Sequence, residues 1–94
     1  MKMSDYIAGY EKQIGKPVEP VVVYFAKGVD RICSKAERMG SEDAGKGNPA
    51  YSAEDFRART AKNISGDKQL IDLALEFIYD AYLTGYRRKE EACV

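Results

Sequence analysis

Pro20-Val21-Val22-Val23-Tyr24-Phe25-Ala26-Lys27-Gly28-Val29-Asp30-Arg31-Ile32-Cys33-Ser34-Lys35-Ala36-Glu37-Arg38-Met39-Gly40 is the segment on which the fold turns. Its first third, Val21 to Phe25, is β-branched and aromatic, a composition that suits a strand. The longer pattern decides for a helix. Val22, Phe25, Ala26, Val29, Ile32, Cys33, Ala36 and Met39 recur at intervals of three and four, the period of an amphipathic helix. Pro20 is tolerated in a first helical turn and Gly40 suits a C′ stop, so the sequence predicts a helix over 20–39.

Upstream of this helix, Ser4-Asp5 offers an N-cap to a short helix from Tyr6 to Ile14, closed by Gly15 and the prolines Pro17 and Pro20. Downstream, residues 41–50 are Gly-rich, contain Pro49 and lack an apolar period, which predicts an exposed, flexible loop. Ser52-Ala53-Glu54-Asp55 approximates a capping box and opens a third helix from Ala53 to Asn63, with Phe56, Thr60, Ala61 and Ile64 on one face. After the turn Ser65-Gly66-Asp67, a last helix is predicted over 68–90. Its stripe of Leu70, Ile71, Leu73, Ala74, Phe77, Ile78, Ala81, Tyr82 and Gly85 covers close to half the circumference. One neighbouring helix needs less, so this helix is expected either at the centre of the molecule or against a second copy. The expected fold is one all-α domain, a small bundle of two long helices and two short ones.

Composition narrows the function. The chain has 94 residues, 45% apolar and 32% charged, the balance of a small globular domain. No stretch approaches the length of a membrane span, and the charged N-terminus lacks the apolar core of a signal peptide. Cys33 and Cys93 form no C-x-x-C pair. Cys33 falls on the apolar face of its helix, as a buried reduced thiol, and Cys93 is expected as an exposed free thiol. A reducing cytoplasm is the compartment this implies. With no His, the usual base at neutral pH is missing, as is the activator of a Ser or Cys nucleophile. Asp72, Glu76 and Asp80 stand in one row and do not converge on a point. The expectation is therefore a protein that is not an enzyme, without catalytic residues, metal or cofactor. Gly40-Ser41-Glu42-Asp43-Ala44-Gly45-Lys46-Gly47 matches G-x-x-x-x-G-K, but Gly47 replaces the Mg²⁺-binding hydroxyl and two carboxylates would face the phosphates. It is a connector, not a phosphate loop.

Charge is balanced, fifteen Lys and Arg against fifteen Asp and Glu, but it is not mixed evenly. Lys27, Arg31, Lys35 and Arg38 line one side of the second helix as a basic stripe, and Asp72, Glu76 and Asp80 line the last. The two rows either face solvent and one another, or the basic row meets an external acidic surface. Nucleic acid is one such surface, with Arg57, Arg59 and Lys62 extending the patch. Cations at Arg87-Arg88-Lys89 complement the dipole of a helix C-terminus.

A repeat accompanies these rows. Tyr6-Ile7-Ala8-Gly9-Tyr10 is matched by Tyr82-Leu83-Thr84-Gly85-Tyr86. A glycine in a helix interior costs about 1 kcal/mol relative to alanine, so each has a packing or functional reason. If the first helix packs on the last, Gly9 and Gly85 form the close contact. Tyr79 extends the row of Tyr82 and Tyr86. These tyrosines, with Tyr6 and Tyr10, line either the rim of the core or a partner-binding surface.

The pattern Ala81-Tyr82-Leu83-Thr84-Gly85-Tyr86-Arg87-Arg88 resembles the helix ends of many small proteins encoded by phages and other mobile elements. The resemblance implies a small helical accessory protein that binds and blocks a larger host complex, bacterial defence systems included, and it assigns no functional residue. The expected partner is thus a host protein or complex, with a homo-oligomer as a further possibility, nucleic acid as the alternative and no membrane.

Overall fold

The computed structural model describes residues 2–92 and contains four helices: α1 (Met3–Ile14), α2 (Pro20–Gly45), α3 (Ala53–Ala61) and α4 (Lys68–Ala92). Among the described residues there is no strand, and two long and two short helices form the expected all-α bundle. Cys93 lies outside the described residues. No helix among the described residues is long and apolar enough to cross a membrane.

The ends of these helices show where local signals held and where packing overrode them. Pro20 opens α2 at the first helical position, where its missing N–H costs nothing. Val21 to Phe25 is helical, because the period running through Ala36 outweighs the β-propensity of five residues. Gly15 closes α1 in the left-handed region at φ 73°, its N–H donating to the Glu11 carbonyl. Ser52 caps α3 by accepting from the Asp55 N–H at 3.2 Å. Asp67 does the same for α4 with the Gln69 N–H at 2.8 Å. Ser4, expected as the cap of the first helix, instead lies inside α1 and donates from both its N–H and hydroxyl to Asp30 of α2.

The largest departure is the end of α2. A stop was expected at Gly40 and a loop over 41–50, yet the helix continues to Gly45. Gly40 is an interior position where α2 crosses α4. A Cβ there would overlap the Tyr82 carbonyl oxygen and lie 2.9 Å from the Tyr86 nitrogen. Gly85 answers it from α4: a Cβ there would overlap the Glu37 carbonyl oxygen and come 2.7 Å from its carbon. The two backbones meet through paired notches, and this contact holds the long helices together. Gly9, expected to pair with Gly85, has nothing within 4 Å of its Cβ position. The repeat therefore does not mark an α1–α4 contact through glycine.

The core lies along this seam. Met3 and Ile7 of α1, Ala26, Val29 and Ala36 of α2, Phe56 of α3, and Ala74, Ile78 and Tyr82 of α4 form one buried cluster. Each large apolar side chain removed from water contributes about 1.5–3 kcal/mol. α4 is central: α2 packs along it, α3 leans on it through Phe56, and Tyr6 of α1 meets Phe77 edge-on at 5.7 Å. The wide apolar stripe of α4 thus finds its neighbours within the chain.

Candidate interaction surface

Packing has absorbed most of the tyrosine row. Tyr82 is 0% exposed and belongs to the core, so it is not part of a partner surface in this fold. Its ring packs on Phe56 at 4.9 Å, and its hydroxyl donates to Asp43 Oδ2 at 2.7 Å while accepting from the Tyr51 N–H at 3.3 Å. Burial, then the Asp43 contact, pushes the phenol up to about 12. Tyr79 and Tyr86 are half-buried and donate to the carbonyls of Tyr51 and Asn48, at 2.8 and 2.5 Å. Three phenols of α4 therefore tie down the connector between α2 and α3, satisfying backbone groups that no helix serves. Tyr6 and Tyr10 alone of the five keep large exposed areas, 43% and 46%, on α1.

The charged rows are arranged otherwise. Lys27, Arg31, Lys35 and Arg38 are all exposed. Two ion pairs are found among the described residues, Arg57–Glu76 at 3.8 Å and Arg88–Glu37 at 2.6 Å, and neither uses a member of this row. The carboxylates interspersed with it along α2 are engaged from the other side, Asp30 by Ser4 and Glu37 by Arg88. Along this row α2 sorts its charges: Asp30 and Glu37 toward α1 and α4, the cations outward. The acidic row of α4 is likewise exposed, with Glu76 reaching Arg57 of α3, so it does not neutralise the basic row. The two helices meet through their glycine notches and apolar sides, which turns both charged sides outward.

Tyr24 belongs to the same ridge and was missed from the sequence. It is 74% exposed, and Val21 beside it is 64% exposed. Its spacing to Lys27, Gly28 and Arg31 is three, four and seven, which places it on the basic side; the apolar composition of Val21 to Phe25 concealed this. The ridge also borders an open groove of about 450 Å³ between α2 and α3. Ile32, Ala36 and Met39 of α2 form one wall, Phe56 and Ile64 the other, and Ile78 lies at the floor. Lys35 and Arg59 stand on its two sides. Arg59 also lies over the Tyr51 ring, 4.7 Å from its centroid.

Elsewhere a cleft of about 400 Å³ runs among α1, α2 and α4, bordered by Asp5, Asp30, Cys33, Glu37 and Asp80. Burial first, then Asp30, pushes the Cys33 thiol up to about 11, so at neutral pH it is protonated and a poor nucleophile. Among the described residues no three His, Cys, Asp or Glu side chains are grouped to hold a metal. The P-loop-like stretch is helical through Gly45 and offers no cradle of amides to a phosphate. Compared with known proteins, the chain matches no family model, no curated protein and no solved structure.

Proposed function

We propose that this protein is a non-enzymatic interaction module that docks the outward ridge of α2 onto an acidic surface of a larger protein and acts by occupying it. One observation carries this reading: Lys27, Arg31, Lys35 and Arg38 are exposed and free of ion pairs among the described residues, while the acids between them are engaged by α1 and α4. Four like charges on a rigid helix repel one another, and an acidic partner relieves that repulsion without reorganising the fold. Such charges steer encounter and select partners more than they add affinity, which Tyr24 and Val21 on the ridge are placed to supply. Blocking of a host complex is the role implied by the resemblance of Ala81–Arg88 to mobile-element proteins. In this chain Tyr82 and Gly85 of that pattern have packing duties, so the blocking role rests on the resemblance alone.

Affinity capture tests the proposal. Immobilised protein is compared with an Arg31→Glu, Lys35→Glu variant in lysate, and retained proteins are quantified by mass spectrometry. A partner held by the first, lost by the second and released by moderate salt is the expected outcome. Nucleic acid is the competing anion. Of the α3 cations that would extend its footprint, Arg57 is engaged by Glu76. Retention of oligonucleotide, with a log–log salt slope near −0.9 for each phosphate contacted, would replace the protein partner by nucleic acid.

A further inference from the structure

We infer that the groove between α2 and α3 receives an acidic amphipathic helix of the partner, an inference that rests on the interaction-module reading and specifies the partner's chemistry. The groove exists because α3 leans away from α2. Phe56 packs its ring on Tyr79 and Tyr82, at 5.3 and 4.9 Å, and Arg57 reaches Glu76, so α3 is anchored to α4. Along the α2 side of the groove Lys35 and Met39 stay exposed and Ile32 is half-buried. From Ile32 to Met39 this side is about two helical turns long, enough for apolar side chains spaced i, i+3 or i+4, and i+7 on an incoming helix. Met39 is 37% exposed at its edge, and its unbranched thioether adapts to aliphatic side chains of different shape.

Charge decides the rest. Lys35 borders the groove on α2 and Arg59 on α3, and no carboxylate lines it. A helix seated between them has cations on both flanks, so Asp or Glu beside its apolar stripe is favoured and Lys or Arg is repelled. On α4 of a second copy the exposed acids Asp72, Glu76 and Asp80 stand apart from the large apolar residues, which are occupied within the bundle, so that helix does not supply the combination.

The test is an amide NMR titration of the whole protein with three synthetic, end-capped helical peptides. The first carries Leu at i, i+3, i+4 and i+7 flanked by Glu, the second replaces Leu by Gln, and the third replaces Glu by Lys. The expected result is saturable shifts from the first peptide alone, centred on Ile32, Lys35, Met39, Thr60, Asn63 and Ile64. Its affinity falls about tenfold or more in Met39→Glu and in Lys35→Glu, each a change of about 1.4 kcal/mol. It stays within about twofold in Lys27→Glu, on the ridge but outside the groove. Exposed sites such as these tolerate substitution, and urea unfolding of each variant verifies the fold. Equal binding of the Leu and Gln peptides, weakened by Lys27→Glu, overturns the groove while leaving the ridge proposal standing. No shifts from the first peptide at millimolar concentration overturn the groove, and partner capture then judges the ridge independently. Groove shifts that grow with protein concentration without peptide also overturn it, in favour of a second copy.

Discussion

At the scale of single residues, Gly9 and Gly85 are expected to behave in opposite ways. Alanine at an unobstructed helical glycine stabilises by about 0.5–1 kcal/mol, so Gly9→Ala is expected to raise the urea midpoint. Gly85→Ala is expected to lower stability by about 3 kcal/mol or more, because its methyl group meets rigid backbone at Glu37 and the seam must open. Nothing in the two similar pentapeptides distinguishes these glycines. They differ in what a distant part of the chain brings against them: the Glu37 backbone meets Gly85, nothing meets Gly9, and no local signal carries that information. Tyr82 was legible in part: it lies on the apolar stripe of α4, and burial there competes with a surface role. Tyr82→Phe leaves Asp43 and the Tyr51 N–H short of a partner and is expected to cost about 1–3 kcal/mol in urea unfolding. The Cys33 thiol and the Tyr82 phenol both hold their protons more tightly when folded. Their contribution is full below pH 9.0 for the thiol and 10.0 for the phenol, and is lost as pH rises toward about 11 and about 12. Stability is thus expected to fall on the alkaline side, and Cys33→Ser or Tyr82→Phe to flatten that fall in urea midpoints measured against pH.

At the scale of elements, the period of α2 identified the helix but not its end. A glycine after an apolar run is the usual signature of a C′ stop, and Gly40 satisfies it. The same residue is also what a close helix crossing requires, and only the presence of Gly85 opposite selects between the two. Ser41 to Gly45 continues the helix because the crossing fixes the turn before it and Asp43 is held by Tyr82. Glu42→Pro distinguishes a helix from a loop at this position: its ring clashes with the preceding turn, and a loss of about 3 kcal/mol is expected by chemical denaturation. In a loop the same change would be nearly neutral. The caps of α3 and α4 were readable because Ser52 and Asp67 bond within their own first turns, whereas Ser4 was not, because Asp30 draws it from another helix.

At the scale of the whole molecule, a slab of 46 × 26 × 17 Å with no net charge presents a strongly patterned surface. The basic and acidic rows were visible in the sequence as spacings of three and four. Their relation was not, since it depends on which sides the glycine seam joins. That seam turns both rows outward and leaves Lys27, Arg31, Lys35 and Arg38 as cations without a structural task among the described contacts. We propose that this row exists for a partner. Partner capture by Arg31→Glu, Lys35→Glu protein, compared with the unsubstituted protein at equal folded fraction, decides it. Capture is predicted to be lost while the unfolding free energy stays within about 0.5 kcal/mol. Full capture by the reversed protein, or a loss of stability matching the loss of capture, would leave the row with no role in binding.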